Sequence, residues 1–464
     1  MIHAAIPSAI ALAAWGAVSF GAVYPWGYLT LAIGSAALCV ALLADREVRA
    51  RASQHPLLVP FAVVLGAMAL QLVPLPPALL HWLSPSAPAL LGQYEIGYFA
   101  GSTFHPLSIQ PAATVIALTL CFVLAQLLVV MTSTLERVGA RRLAAGLVVL
   151  GFVVALVAIV QRPLFAGRIY GFWQPEQGGR AFGPFVNPNH FAGWMAMALS
   201  LTLGVVCGQI AGAMPRRARS WRDYAAWASS REASGLMLAM TAALVMGLSL
   251  VLSLSRSGIV CFLLAALAAG LVVFRRQRGA RRVLAVSFLA ALVAGSFVWA
   301  GPSTVAREFG ETGRAEDAAP LASAVATRLG PWSDAVFTAR AFPAAGTGVN
   351  TYGAAMIFLQ RYDLESHYDA AHNDYLQLLA EGGVLVALPA LWAGVVLVRT
   401  IRRRFAHDGM ETYWIRAGAV TGLAAIALQE LVDFSLQMPG NAMLFLLLCA
   451  IALHRAPARP PRLT

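Results

Sequence analysis

The chain has 464 residues, of which 59% are hydrophobic and 12% charged, and its mean hydropathy is +0.71. A soluble domain carries about 25% charged residues, so this composition excludes that class and indicates an integral membrane protein. All 33 basic residues are arginine, and the formal net charge is +12. In a membrane protein, the distribution of basic residues among the loops is first an indicator of topology, so this charge is not evidence of nucleic-acid binding.

Apolar runs long enough to cross a bilayer recur along the whole chain. They predict one all-α membrane domain over residues 1–464 with about twelve transmembrane helices. The predicted spans are 6–23, 27–44, 56–74, 112–132, 143–160, 190–208, 235–253, 257–274, 283–300, 373–398, 413–433 and 440–454. The first run lacks a basic segment before it and a clear cleavage site after it, so we expect a retained helix rather than a signal peptide.

The arginines alternate between the two sides of the predicted spans. Twenty-four lie in the connections after spans two, four, six, eight and ten or in the tail, so both termini are predicted to be cytoplasmic. The other nine lie on the outward, periplasmic side, where the positive-inside rule disfavours them. They are Arg162, Arg168, Arg180, Arg256, Arg307, Arg314, Arg328, Arg340 and Arg361.

Three outward segments are long. Segment 75–111 is rich in proline and apolar residues and predicts a helix lying in the membrane interface. Segment 161–189 carries arginine, glycine, tryptophan and asparagine. The largest loop, 301–372, predicts helices over 318–342 and 352–362. The five cysteines lie in apolar runs, and we expect neither a disulfide nor a metal-thiolate site.

The first motif, Gly179–Trp194, reads GRAFGPFVNPNHFAGW. Asn187 and Asn189 can cap a helix that begins near His190. A helix N-terminus beside Arg180 is also suited to an anion. The motif is therefore consistent both with a well-capped helix start and with an anion site.

The second and third motifs contain an arginine each. Arg256, in Ser255–Gly258, lies at an outward turn close to the hydrocarbon, where it either snorkels to the interface or binds an anionic headgroup. Arg328 precedes Trp332 by one helical turn. The glycine pair at 346 and 348 lacks a strand before it, so we interpret it as turns and not as a dinucleotide site.

The fourth motif begins at His372, at the outward mouth of span ten, followed by Asn373 and Tyr375. A histidine can act as a base near neutrality, and nearby arginines would lower its pKa and keep it neutral. Tyr375 is expected on the same helical face. A metal site with His367 and Asp369, or a plain interfacial histidine, are the alternatives.

Together the four motifs, in this order and all on the outward side, resemble the O-antigen ligase and polymerase superfamily. The matching segments are Gly179–Asn189, Ser255–Gly258, Arg328–Trp332 with Gly346–Gly348, and His372–Gly382; the turn Val432–Phe434 is also similar. The resemblance covers about residues 160–385, and the amino-terminal half matches only in hydropathy.

The resemblance implies a multi-span glycosyltransferase of the GT-C-like class in the bacterial inner membrane, with its site facing the periplasm. The donor would be an undecaprenyl-pyrophosphate-linked glycan. Arg256, Arg328 and Arg180 would hold the pyrophosphate, and His372 would be the catalytic base. Asn187, Asn189, Trp332, Asn373 and Tyr375 would support them. No metal or other cofactor is expected, and the chain contains no D-x-D or P-loop motif.

The motifs describe the donor side and leave the acceptor open. A ligase acting on lipid A-core ranks first, a polymerase of O-antigen or exopolysaccharide second, and a protein O-oligosaccharyltransferase third. The expected partners are thus the lipid-linked donor, lipid A-core and membrane lipids, without nucleic acid. A transporter of the lipid-linked glycan and an accessory scaffold are the other classes. Neither requires a histidine beside the arginines, and the absence of a clear internal repeat disfavours a transporter.

Overall fold

The computed structural model describes residues 2–94, 97–98, 104–176, 180–213, 227, 229–276, 279, 282–283, 287, 320–362, 364–365 and 367–456. Apart from isolated bridges, the regular structure in these ranges is helical. The helices are α1 Ile2–Val18, α2 Pro25–Leu43, α3 Arg46–Ala52, α4 Leu58–Leu70, α5 Pro77–Leu83, α6 Ala87–Tyr94, α7 Pro111–Val138, α8 Arg141–Leu164, α9 Pro188–Ala213, α10 Arg231–Leu252, α11 Arg256–Arg276, α12 Pro320–Ala341, α13 Tyr352–Leu359, α14 Asp374–Phe405, α15 Met410–Gln429 and α16 Pro439–Leu453.

The helices are those of a multi-pass membrane protein. Eleven of the twelve predicted spans coincide with one of these helices, and of the span at 283–300 only residues 283 and 287 are among the described residues. Within the described ranges six helices are long and apolar enough to cross a bilayer: α2, α7, α8, α9, α10 and α14. The helices α1, α4, α11 and α16 are shorter apolar ones. The total of twelve spans stays a prediction.

Helix α9 is the centre of the bundle, since 94% of the residues in its most apolar stretch are buried. It packs along α15 at glycines, because a Cβ atom on Gly204 would lie 2.6 Å from the Cα atom of Gly418. Helices α1 and α16 approach as closely at Gly16 and Gly440, where an added Cβ would lie 2.8 Å from the facing Cα. Small residues allow this backbone contact between membrane helices, where lipid supplies no hydrophobic drive for association.

The arginines predicted to be cytoplasmic gather at one end of this bundle. Glu136 lies 3.4 Å from Arg51 and 3.7 Å from Arg404, and Arg137 lies 2.7 Å from Asp45. These side chains come from connections that are far apart in sequence. The outward Arg162 lies at the opposite end of α8 from Arg141, about 30 Å away at the helical rise of ~1.5 Å per residue. Among these described residues, arginines assigned to the two groups therefore lie at opposite ends of the bundle.

Arg416 differs from the other arginines of that end. It is one of the twenty-four arginines assigned to the cytoplasmic side, but it is 1% exposed and forms a bidentate pair with Asp408, at 2.6 and 2.8 Å. It also donates to the carbonyls of Ala452 and His454. Arg416 thus joins the α14–α15 connection to the end of α16 inside the protein.

A layer of mostly shorter helices, the outer layer, covers the end of the bundle that is predicted to face outward. It consists of α5, α6, α12, α13 and the start of α14, and its core includes Phe342, Tyr352 and Leu91. The expected single interfacial helix in 75–111 is instead two short helices. Leu80, Leu90 and Leu91 are buried against protein, while Trp82 is 76% exposed. An apolar stripe buries itself equally well against lipid or protein, and here the helices of the large loop supply the protein surface.

Candidate functional site: an arginine-lined pocket beside a buried histidine

Four outward arginines line one pocket of about 440 Å³ at the outward end of the bundle. Arg162 lies in the last turn of α8, Arg180 in the loop before α9, Arg256 at the first position of α11 and Arg328 in α12. The other described lining residues are Gln161, Phe165, Ala181, Phe182, Gly183, Pro188, Asn189, Leu252, Ser253, Leu254 and Ser257. None of the described lining residues is acidic, so the pocket is strongly positive.

The loop that carries Arg180 is fixed to the end of α8 by Gln161. The Gln161 amide donates to the carbonyl of Gly183 at 2.7 Å and accepts from the amide of Tyr170 at 3.1 Å. Gly183 has φ +55°, and a Cβ there would lie 2.6 Å from the Cβ of Ala158. The glycine is required both by its backbone conformation and by its contact with α8.

The two asparagines of the first motif have different roles. The Oδ1 atom of Asn187 accepts from the amide of Asn189 at 2.8 Å, so Asn187 caps α9 as predicted. Asn189 does not cap the helix. Its Oδ1 atom accepts a 2.7 Å hydrogen bond from the Ser255 hydroxyl, which ties the start of α9 to the turn that carries Arg256.

Local backbone geometry holds Arg256 at the pocket. Leu254 has φ +57°, which turns the chain sharply between α10 and α11. The Ser255 hydroxyl accepts from the amide of Gly258 at 3.3 Å and so caps α11. Gly258 packs directly on Ala192 of α9, with no room for a side chain. Arg256 therefore begins a helix whose position is set by its neighbours on both sides.

His372 lies beside the pocket rather than in its lining. Its backbone has φ +50°, a left-handed conformation in which histidine is among the more frequent non-glycine residues. The indole N–H of Trp332 donates to the His372 carbonyl at 3.2 Å, which gives Trp332 a supporting position. The His372 ring packs edge to face on Phe434, with centroids 4.9 Å apart.

Burial lowers the pKa of His372 to about 4, and the positive charge of Arg328 acts in the same direction. The sequence predicted that arginine would lower this pKa. The direction agrees, but removal from water is the larger cause because it penalises the imidazolium form. The ring is thus neutral at physiological pH. Its Nδ1 atom is buried and has no hydrogen-bond partner among the described residues.

Asn373 and Tyr375 support the start of α14. The Asn373 side chain accepts from the amide of Tyr375 at 3.1 Å and donates to the Leu431 carbonyl at 2.9 Å. The Tyr375 hydroxyl donates to the Ala427 carbonyl at 2.9 Å. The expectation that Tyr375 shares a helical face with His372 is wrong, because His372 precedes the N-cap in a non-helical conformation.

The predicted glycine turns at 346 and 348 pack against α14. Both have positive φ, of +65° and +108°. The carboxylate of Glu381 accepts from the amides of Asn350 and Tyr352, both at 2.9 Å. Glu381 therefore acts as an internal clamp that joins the outer layer to α14.

Sequence reasoning gave no role to several residues of this site. Arg162 was only one of nine outward arginines, and nothing in its spacing connected it with Arg256. His190 packs edge to face on Phe434 at 4.8 Å, and its Nε2 atom lies 4.0 Å from the Asp433 carboxylate. Phe434 thus contacts two histidine rings. Its position in a turn similar to the family was the available signal.

The geometry gives little support to a metal site formed by His372 with His367 and Asp369. The Nε2 atom of His367 lies 3.3 Å from the Asp369 carboxylate, on an exposed surface. Within the described residues no three His, Cys, Asp or Glu side chains are grouped as ligands.

The fold and the pocket define a multi-pass helical membrane protein with a cationic, anion-sized site at one end of its bundle. The model of the family described as O-antigen ligase matches residues 241–393, about a third of the chain. This match includes the second, third and fourth motifs, but not the first motif or the Val432–Phe434 turn, and it supports membership of the O-antigen ligase superfamily. It includes Arg256, Arg328 and His372. A search of curated proteins finds no match.

Proposed function

We propose that the protein transfers a glycan from an undecaprenyl-pyrophosphate carrier to a sugar hydroxyl of lipid A-core, at the periplasmic face of the inner membrane. The observation that carries the proposal is the convergence of Arg162, Arg180, Arg256 and Arg328 on one pocket without acidic lining residues, beside a neutral histidine. Both termini would be cytoplasmic, and the bundle would have twelve spans and a GT-C-like architecture.

The arginines would act on the leaving group. As the bond between the sugar C1 and the phosphate oxygen breaks, both electrons stay on the diphosphate, and its negative charge grows. Guanidinium groups bind phosphate oxygens through paired N–H donors. Fixed charges in a pocket at the membrane surface stabilise that charge more than bulk water does. Arg256 and Arg328 are the best placed for this role, because the turn that carries Arg256 and the helix that carries Arg328 both lie on the His372 side of the pocket.

His372 would act on the acceptor. Its neutral ring takes the proton of the acceptor hydroxyl while the hydroxyl oxygen bonds to C1. Because the Nδ1 atom is buried, Nε2 is the nitrogen available for this step. The diphosphate and the base act from opposite faces of the sugar, which predicts inversion at C1. An α-linked product from an α-linked donor would contradict the single displacement.

Lipid A-core ranks first among the acceptors because its phosphates suit a cationic outward surface. A polymerase would use the same donor and the same arginines, with the growing chain on the carrier as its acceptor. The two differ only in which hydroxyl reaches His372, so the acceptor has to be identified by assay.

The test is transfer by the purified full-length protein in detergent, with undecaprenyl-pyrophosphate O-antigen, lipid A-core and EDTA. We expect a ladder on lipid A-core that disappears in His372→Ala and Arg256→Ala. The matched controls are His367→Ala, an exposed histidine of the same loop, and Arg168→Ala, an exposed outward arginine outside the pocket. Both controls should retain activity.

Each other result has a distinct meaning. Longer chains on the carrier, without a ladder on lipid A-core, would make the protein a polymerase. Full activity in His372→Ala would refute the assignment of the base. Absence of transfer by the wild type to either acceptor would overturn the proposed reaction and favour another acceptor or a transport role.

A further inference from the structure

The pocket contains more positive charge than a diphosphate needs. A diphosphate joined to a lipid and a sugar carries about two negative charges, whereas four arginines line the pocket. No described lining residue is acidic, and the carboxylate of Asp433, which lies 3.5 Å from the Ser257 hydroxyl, is outside the lining. A volume of about 440 Å³ lies within the ~300–1,000 Å³ of small-molecule sites, which leaves room beyond a diphosphate.

Arg162 is the arginine in excess. Its side chain makes no hydrogen bond or ion pair with any described residue, although an arginine close to hydrocarbon is costly unless it is paired or hydrated. It is half-buried rather than extended into water, and it is kept at the pocket because α8 continues to Leu164. Nothing in its local packing requires a guanidinium group.

Arg162 also stands on a different wall from the reaction centre. Arg328 is the arginine whose charge lowers the pKa of His372. The turn with Arg256 also reaches the His372 side, since the Ser257 hydroxyl lies 3.5 Å from Asp433, the neighbour of Phe434. Arg162 instead projects from α8 beside Gln161, which holds the loop of Arg180. A group bound at Arg162 would thus lie away from the breaking bond.

We propose that Arg162 binds a second anionic group of the substrates, a phosphate or a carboxylate, in addition to the diphosphate. This inference rests on the proposed function, because it takes the diphosphate to lie at Arg256 and Arg328. The anion has two possible sources with the same chemistry: an acidic sugar of the donor glycan, or a phosphate of the acceptor.

The experiment compares Arg162→Gln with wild type in a matrix of substrates. Donors carry either a neutral sugar or a uronic acid as the first sugars on undecaprenyl diphosphate, and lipid A-core is supplied with or without its phosphates. Loss of a charge-assisted hydrogen bond should lower kcat/KM about ten- to a hundredfold, and only where the anion is present. Arg168→Gln, which removes an exposed arginine six residues away, should stay within about twofold of wild type.

The pattern of loss identifies the source. A deficit confined to uronic-acid donors assigns the anion to the donor, and a deficit confined to phosphorylated acceptors assigns it to the acceptor. An equal loss with every combination would make Arg162 one more diphosphate ligand and overturn the inference. No loss with any combination would overturn it as well.

A binding measurement separates this inference from the proposed reaction. The probes are water-soluble short-chain polyprenyl diphosphates bearing glucose or glucuronic acid, and lipid A-core with or without phosphates. Wild type should bind one anionic probe more tightly than its neutral partner, and Arg162→Gln should remove that difference. This result is independent of turnover, so an inactive wild type would refute the reaction while the binding data still decide the role of Arg162. Equal affinities in wild type for both members of each pair would refute that role.

Discussion

Replacing Arg328 with glutamine should move the acid limb of the pH profile to higher pH. In wild type, burial and Arg328 together lower the pKa of His372 from 6.5 to about 4. At pH 5 such a histidine is about 90% neutral, whereas one with an ordinary pKa of 6.5 would be only ~3% neutral. The wild-type profile of kcat/KM, which reports the free enzyme, should therefore remain high down to about pH 5.

The size of the effect follows from the two causes of the lowered pKa. The shift corresponds to about 3 kcal/mol of cost for the imidazolium ion, and burial accounts for most of it. Removing the Arg328 charge leaves the burial in place. After each profile is scaled to its own maximum, the midpoint of the acid limb of Arg328→Gln should thus move to higher pH. It should stay below the pKa of an exposed histidine. Arg340→Gln, an exposed arginine on the same helix, serves as the control and should leave the limb in place.

Unfolding at low pH has to be separated from titration of the base. A buried neutral histidine binds a proton more readily in the unfolded chain, so native stability falls as pH drops from about 6.5 towards 4. Samples held at each pH and returned to pH 7 should recover full activity if titration alone is responsible. A wild-type limb near 6.5, or an unmoved limb in Arg328→Gln, would refute the reasoning about His372.

Three further substitutions test the surroundings of the site. Glu381→Ala leaves the buried amide of Tyr352 and the part-buried amide of Asn350 without an acceptor and should lower the stability by about 1–3 kcal/mol, measured as a lower Tm in detergent. Asp408→Ala leaves Arg416 buried and unpaired and should cost about 3–5 kcal/mol, measured in the same way. Phe434→Ala removes the ring that contacts His372, so kcat should fall at least tenfold while the affinity for donor changes little.

The controls for these three are conservative variants. Glu381→Gln and Asp408→Asn retain an acceptor oxygen and should lose less stability than the alanine variants, and an equal loss would contradict the hydrogen-bond argument. Phe434→Tyr keeps the ring and should retain most of the turnover. A Phe434→Ala protein that fails mainly in donor binding would show that the ring supports the pocket rather than the histidine.

The transmembrane helices could be predicted because lipid imposes a simple rule on length and polarity. The short helices of the large loop were also predicted, from the apolar pattern of 318–342 and 352–362. The segment 75–111 forms two short helices instead of the one expected, and part of its apolar surface packs on protein, which hydropathy does not distinguish from lipid. The buried pairing of Arg416 was not predicted, since its partner Asp408 is eight residues away and only the folded connection brings the two together.

The sequence predicted several individual residues of the site but not how they come together. Arg180, Arg256 and Arg328 came from motifs, and the structure brings them to one pocket. Arg162 could not be included, because its place depends on how the end of α8 packs on the loop at Gly183. The contact of Phe434 with two histidine rings depends on a turn after α15 that no periodic pattern describes.

The glycine contact between α9 and α15 has a mechanical consequence. Where the backbones touch at Gly204 and Gly418, no side chain lies between the two helices, so this contact cannot adjust by small rotamer changes. The two helices form a rigid pair, and the start of α9 and the end of α15 lie beside His372. If the proposed function is right, a carrier lipid that enters sideways from the bilayer would have to reach the pocket between helices other than α9 and α15.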